Sequence, residues 1–162
     1  MSASRARPVL VAAGAAIFVA ALGGSLTDLG PWYQALRKPD WQPPDPVFGL
    51  VWTTVFALTA LAAVITWRRT PRGPAREWLI GLLAMNGFLN VLWSLLFFRL
   101  KRPDWALVEV ALFWLSIVVL IFYCARRVPS AGLLLAPYLV WVTIAAALNF
   151  EIVRLNGPFA PG

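Results

Sequence analysis

Five long apolar runs punctuate the chain, each closed by charged or turn-forming residues. The first spans 9–26 and stops at Thr27 and Asp28, the second spans 47–67 before Arg68 and Arg69, and the third spans 78–98 before Arg99. The fourth covers 105–125 ahead of Arg126 and Arg127, with Glu109 in its first turns, and the fifth covers 131–150 and continues through Glu151 to Arg154. Each is about 18 residues or longer, enough for a helix to cross the hydrocarbon core of a bilayer. Backbone polar groups cannot stay unpaired in lipid, so the runs are predicted as helices. The strict alternation that a membrane β-barrel needs is missing from them. The expected fold is an all-α integral membrane protein, a five-transmembrane-helix bundle in which residues 1–162 form one domain.

The connections are uneven. The second, third and fourth are short, which predicts antiparallel, adjacent neighbours. The first, over 27–46, is longer than an idle loop in a compact domain usually is. Pro39, Pro43, Pro44 and Pro46 stiffen it and argue against a regular helix. It also carries Trp32, Tyr33 and Trp41, which water does not hold exposed without reason. This segment is predicted to be a lid over the bundle.

Arg5 and Arg7 ahead of an apolar stretch also describe a secretory signal, but the first run exceeds the usual 7 to 15 residues of such a segment, which favours a retained helix. Ala12, Ala16, Ala20 and Gly24 recur every four residues along it. Small residues at that spacing admit a close helix, either inside one bundle or across a dimer seam.

Composition narrows the chemistry. With 60% apolar and 13% charged residues and a mean hydropathy of +0.75, the chain is too greasy for a soluble enzyme. It has no His and one Cys, Cys124, which excludes histidine-dependent catalysis, an intrachain disulfide and a cysteine metal cage; no metal site is predicted. The net charge of +7 is spread as short basic clusters between the apolar runs, the pattern of a membrane protein facing anionic headgroups and not of a nucleic-acid binder. Lys and Arg number 8 on the side of the N-terminal tail and 6 on the other, which places the N-terminus in the cytoplasm. The lack of a cleavable-looking signal and of barrel patterning points to an inner membrane.

Of nine Trp, Trp67, Trp78 and Trp105 fall at run ends, as interfacial indoles do, and Trp114 in mid-run is expected to face lipid. Trp52, Trp93 and Trp141 lie inside runs. At helical spacing Asn86, Asn90, Trp93 and Phe97 share one face, Tyr138, Trp141, Ala145, Leu148 and Asn149 another, and Trp52 and Phe56 a third. Two readings stay open. The Asn and Tyr residues glue helices, each bond worth about 0.6–2 kcal/mol, or the three faces line a flat, apolar cavity with a few orienting polar groups. A cavity of that kind suits a planar or polycyclic lipid-soluble ligand, selected by ring stacking and shape. Glu109, near Lys101 and Arg102, is expected to be paired or interfacial. No conventional catalytic constellation accompanies it.

Several spaced motifs resemble one family. The first connection reads Trp32-Tyr33-x-x-Leu36-x-Lys38-Pro39-x-Trp41-x-Pro43-Pro44, followed by Val51-Trp52-Thr53, and the third run holds Asn90-x-x-Trp93-x-x-x-Phe97-Phe98. The fourth opens Trp105-Ala106-Leu107-Val108-Glu109, and the fifth contains Pro137-Tyr138-Leu139-x-Trp141 and Leu148-Asn149-Phe150-x-x-x-Arg154. Together these are similar to the translocator protein family, TspO, also called tryptophan-rich sensory protein or peripheral-type benzodiazepine receptor.

The resemblance implies a five-helix bundle, usually a homodimer in the bacterial cell membrane. It implies a pocket under the first loop for porphyrins such as protoporphyrin IX and haem-type tetrapyrroles, for sterols or lipid, and for synthetic isoquinoline-carboxamide and benzodiazepine ligands. No cofactor is implied; porphyrin is the ligand. The family's pocket positions fall on Trp52, Phe56, Asn90, Trp93, Trp141, Ala145 and Leu148, with Trp32 and Trp41 in the lid, and Phe97 on the same face as Trp93 joins them. Such a protein acts as a sensor, carrier or scavenger. The alternatives are a transporter of porphyrin or sterol and a light-dependent porphyrin-degrading enzyme using Trp52 and Trp141. Leu148, Phe150 and Arg154 resemble the family's sterol motif with Phe in place of Tyr. Two further departures are Pro46, where many members have Trp and which is expected to alter the lid, and Leu95, where Pro is common and which is expected to straighten the helix.

Overall fold

The structure is a computed structural model that describes residues 3–159, with side chains from residue 6 onward. The two ends of the predicted 1–162 domain and the Arg5 side chain lie outside the described residues. The helices are α1 (Ala3–Leu26), α2 (Pro31–Ala35), α3 (Asp45–Arg69), α4 (Pro74–Ser94), α5 (Pro103–Ala125) and α6 (Pro129–Asn156), and α4 runs on through a π-helical turn, Leu95–Arg99. Five of them are long and apolar enough to cross a membrane, so the chain is an integral, multi-pass membrane protein.

All five predicted runs are helices, and every one begins earlier than its apolar stretch. For four of them the cause is proline in the first turn: Pro46, Pro74, Pro103 and Pro129 open α3, α4, α5 and α6. Proline lacks only an N–H that the first turn leaves free anyway, and its φ suits a helix start. The same rule corrects the reading of the lid. Pro31 nucleates the short α2 inside it, so part of the segment is helical, and Pro46 belongs to the first turn of α3.

Around the bundle the order is α1, α3, α6, α5, α4. The expected side-by-side packing of helices joined by short connections holds for α4–α5 and α5–α6 and fails for α3–α4, which α1 wedges apart. Small residues make the wedge. Ala12, Ala16 and Ala20 turn partly inward, and Gly23 is buried where an added Cβ would stand 3.7 Å from Asn90 Oδ1. Gly24, the last member of the predicted stripe, faces outward. At Gly87 of α4 the missing Cβ makes room for Val19, whose Cγ2 it would meet at 3.1 Å.

The core stacks in three layers. Tyr33, Phe97, Phe98, Ala106 and Ile152 lie at the lid end; Val55, Phe113, Tyr138 and Trp141 mark the middle; Ala62, Leu79, Leu120 and Leu135 fill the far end. Leu95 does not straighten α4. Its carbonyl accepts from Leu100 N–H at 2.9 Å, five residues on, and the extra residue in this turn bulges the helix under the lid.

Candidate ligand-binding site under the lid

The lid is anchored by one ring. Tyr33 of α2 is buried against Phe98 at 5.7 Å between centroids, Lys38 Nζ sits 4.1 Å above its face, and Gln42 Nε2 donates to its hydroxyl at 3.2 Å. Burial holds the Tyr33 phenol above its ordinary value, the charge of Asp45 pushes the same way, and the Gln42 bond opposes both. Behind the anchor a clasp joins lid to bundle. Asn156, the last residue of α6, accepts from Arg37 N–H through Oδ1 and donates to Arg37 C=O through Nδ2, both at 2.8 Å.

Beneath Tyr33 lies a cavity of about 40 Å³, lined by Gln42 of the lid, Phe48 of α3, Trp93, Phe97 and Phe98 of α4, and Ala145, Leu148, Asn149 and Ile152 of α6. Four predicted residues, Trp93, Phe97, Ala145 and Leu148, therefore meet at one place. Trp93 and Phe97 stack at 5.2 Å, and Trp32 closes on the edge of Phe97 at 6.2 Å.

Three more predicted residues form a second ring cluster behind Phe48. Trp52 stacks on Phe56 at 5.5 Å and meets Trp141 and Tyr138 edge-on at 6.4 and 6.1 Å. Phe48 packs edge-on against Trp141 at 5.3 Å and so links this cluster to the cavity. Trp41 stays apart. It is 52% exposed and is not among the residues that line the cavity.

The amides answer the question left open between glue and cavity, because most of them are glue. Asn86 donates to Ser116 Oγ at 2.9 Å and accepts from Tyr138 OH at 3.1 Å, which laces α4 to α5 and α6. Asn90, predicted to touch ligand, is buried and directs its Nδ2 toward Tyr138 OH at 3.5 Å. Asn149 accepts from Trp93 Nε1 at 3.1 Å and donates to Pro103 C=O at 2.8 Å, and it is the one amide that also lines the cavity from a helix. Among the described residues four side chains hold buried polar atoms without a hydrogen-bond partner, Thr59, Thr66, Glu109 and Trp141, and the last two carry the larger polar groups. The Trp141 indole N–H is buried unbonded, and so are both carboxylate oxygens of Glu109.

Glu109 corrects the expectation of a paired or interfacial acid. It points inward and is 7% exposed, while Arg102 turns away to Asp104, at 2.8 Å from Nε to Oδ1, and over the Trp105 ring. Trp114 is partly exposed, as expected, although its N–H reaches Thr143 Oγ1 at 2.9 Å. The sterol motif does not assemble either. Leu148 faces the cavity, whereas Phe150 and Arg154 face outward, with Arg154 paired to Glu151. A spacing of two residues turns a helix by more than half a circle, which separates Leu148 from Phe150.

Sequence reasoning missed Tyr33, Gln42, Phe48, Phe98 and Ile152 as lining residues, whereas Asn149 lies on the α6 face that it singled out. Tyr33 was flagged among the lid aromatics, and Phe48 follows Pro46 at the start of α3, one turn before Trp52 on its face.

The profile of the TspO/MBR family matches residues 9–155. The chain belongs to that family. It is 38% identical to the "Tryptophan-rich sensory protein" of Cereibacter sphaeroides over 86% of this chain and 89% of that one. It is 40% identical to the "Tryptophan-rich protein TspO" of Chlorobaculum tepidum over 77% and 79%. It is 33% identical to the "Translocator protein" of Sus scrofa over 93% of each chain. The family match covers α3, α4 and α5 in full, the lid, and all of α6 but its last residue.

Proposed function

We propose that this membrane protein binds porphyrins, protoporphyrin IX and haem-type tetrapyrroles, between the lid and the aromatic faces of α3, α4 and α6, and acts as a sensor, carrier or scavenger of them. The observation that carries the reading is the apolar cavity walled by rings of α3 and α4 and by the apolar face of α6 and capped by Tyr33. Flat aromatic faces suit a flat macrocycle through offset stacking, at about 0.5–1.5 kcal/mol per ring pair beyond the area buried. A cavity of about 40 Å³ holds about one water, whereas small-molecule sites run to about 300–1,000 Å³. Admission of a tetrapyrrole therefore requires the lid to lift and Phe48 to part from Trp93 and Trp141.

The test is a titration of the purified protein with protoporphyrin IX in the dark, read by tryptophan quenching, beside Trp93→Leu and Trp141→Leu. Saturable quenching that weakens at least tenfold in affinity in Trp93→Leu supports the site. Linear quenching, equal in all three proteins, means that the porphyrin dissolves in detergent and ends the reading. Loss of porphyrin absorbance under light, absent from Trp52→Phe/Trp141→Phe, would make the protein an enzyme instead.

A further inference from the structure

The two ends of the bundle differ in charge chemistry. At the end away from the lid, the N-terminal tail and the α3–α4 and α5–α6 connections carry eight of the 14 basic residues and one of the seven acids, Glu77. Among the described residues both ion pairs, Arg102–Asp104 and Arg154–Glu151, lie at the lid end. The positive surplus is therefore gathered at the far end.

Two of those cations are held in place. The Arg76 guanidinium lies 4.5 Å from the centre of the Trp67 ring, and its Nε donates to Thr70 C=O at 3.0 Å. Gly73, at φ +109°, makes the turn that brings Arg76 back over Thr70, a backbone conformation other residues rarely adopt. The Arg127 guanidinium lies 3.7 Å from the centre of the Tyr123 ring, and its Nη1 donates to Tyr123 C=O at 3.0 Å. The Tyr123 hydroxyl in turn donates to Ala75 C=O, the residue before Arg76. One bond thus ties the two stacked arginines to a common platform built from both connections.

Fixing an arginine costs side-chain entropy, up to about 2 kcal/mol, and here no carboxylate offsets it. Each guanidinium keeps N–H donors that no protein acceptor takes. The platform sits at headgroup depth, because Trp67 and the 67% exposed Trp78 mark the membrane–water interface at this end. A planar fork fixed at that depth matches the oxygens of a phosphodiester. A zwitterionic lipid would set its own ammonium against Arg69, Arg72 and Arg126, which surround the platform without a carboxylate partner.

We propose that Arg76 and Arg127 form a binding site for the headgroup of an anionic phospholipid in the leaflet opposite the lid. The site takes the phosphate between the two guanidinium groups, and the surrounding arginines select for net negative charge. It is separate from the cavity under the lid and stands whether or not that cavity takes porphyrin.

The test uses the full-length protein in detergent, equilibrated with equal amounts of phosphatidylglycerol and phosphatidylcholine, with retained lipid counted by native mass spectrometry. Phosphatidylglycerol is expected to be retained preferentially. Arg76→Gln and Arg127→Gln should each lower its retention about fivefold, the effect of one cation near a charged surface. Arg76→Lys, which keeps the charge and loses the fork, should fall between Gln and wild type, and Arg154→Gln at the lid end should change nothing. Helical circular dichroism shows which variants are folded. Should a Gln variant fail to fold, the rise in melting temperature of the wild type on adding phosphatidylglycerol in place of phosphatidylcholine serves as the readout. Equal retention of the two lipids overturns the proposal, as does a folded Gln pair that retains phosphatidylglycerol like wild type. Displacement of the lipid by millimolar inorganic phosphate would make this a site for soluble anions and equally overturns the lipid assignment.

Discussion

Replacing Asn156 by Ala removes both hydrogen bonds that clasp Arg37 of the lid to the end of α6. A hydrogen bond contributes about 0.5–1.5 kcal/mol net, so two give about 1–3 kcal/mol. Arg37 is exposed, and water replaces much of what the clasp supplies, which places the loss near the lower limit, about 1 kcal/mol. One kcal/mol multiplies the open population about fivefold. Hydrogen exchange measures that opening directly, because local openings expose amides with free energies below that of global unfolding. The amides to follow are Gln34, which bonds Gly30 C=O at 3.1 Å, and Gln42, which bonds Pro39 C=O at 3.0 Å. Neither touches Asn156, whereas the Arg37 amide loses its acceptor outright and would speed up for a trivial reason. Exchange at Gln34 and Gln42 is expected to accelerate about fivefold while the amides of α5 stay unchanged. If only Arg37 accelerates, the clasp acts locally, the lid is held by its apolar contacts at Tyr33 and Trp32, and the reasoning fails.

Trp93→Phe should destabilise the protein by about 1–3 kcal/mol, because Asn149 Oδ1 loses its donor, while Trp141→Phe, which removes an N–H with no partner, should cost less; thermal unfolding in detergent ranks the two. Gly132→Ala should destabilise by about 1–3 kcal/mol by overpacking, since the new Cβ would stand 2.6 Å from Ala125 Cβ and 3.1 Å from its Cα, and the same melting experiment reads it. Glu109→Leu should raise stability by about 1–3 kcal/mol, because both carboxylate oxygens are buried without a hydrogen bond and the substitution breaks none; a lower melting temperature would point to a partner for this acid. Tyr33, whose folded value lies above 10.0, contributes docking free energy that is complete below that pH and lost as pH rises beyond it, so lid protection, with the base-catalysed intrinsic exchange rate divided out, should fall in strong alkali in wild type and stay constant in Tyr33→Phe.

What the sequence disclosed follows from period and length. Five apolar runs gave the number of spanning helices, and residues sharing a face of a regular helix, such as Ala145 with Leu148, meet at the cavity because the helix keeps them together. Phe98 escaped for the opposite reason. In an unbroken α-helix it turns about 100° away from Phe97, but the π-helical turn at Leu95–Arg99 shifts the phase and buries both. The order of helices around the bundle also escaped, since no periodicity records which neighbour α1 chooses, only that Ala12, Ala16 and Ala20 allow it to come close. Glu109 was legible and misread. Its place between Ala106 and Phe113 on the buried face of α5 spoke for burial, while its nearness in sequence to Arg102 suggested a pair that Asp104 had already taken.

The way the bundle is tied indicates which part yields when the site opens. Around the cavity, α4, α5 and α6 are laced by directional bonds: Asn86 to Ser116 and Tyr138, Trp93 to Asn149, and Asn149 to Pro103. Such bonds weaken steeply when their angles fall toward 120°, so these three helices move as one body. On the other side α3 meets α6 at this level through rings, Phe48 and Trp52 against Trp141, whose edge-on contacts tolerate sliding over a range of about 4.5–7 Å between centroids. The lid adds one buried ring and one exposed clasp. A flat ligand therefore finds its least resisted path between Phe48 and Trp52 of α3 and the wall of α6, with the lid lifting above it. Locking Phe48 to the α6 wall would close that path without touching Trp93 or Leu148. A Phe48→Cys/Ala145→Cys disulfide should then abolish porphyrin association and reduction should restore it, whereas undiminished binding by the oxidised protein would move the moving part to the α4 side.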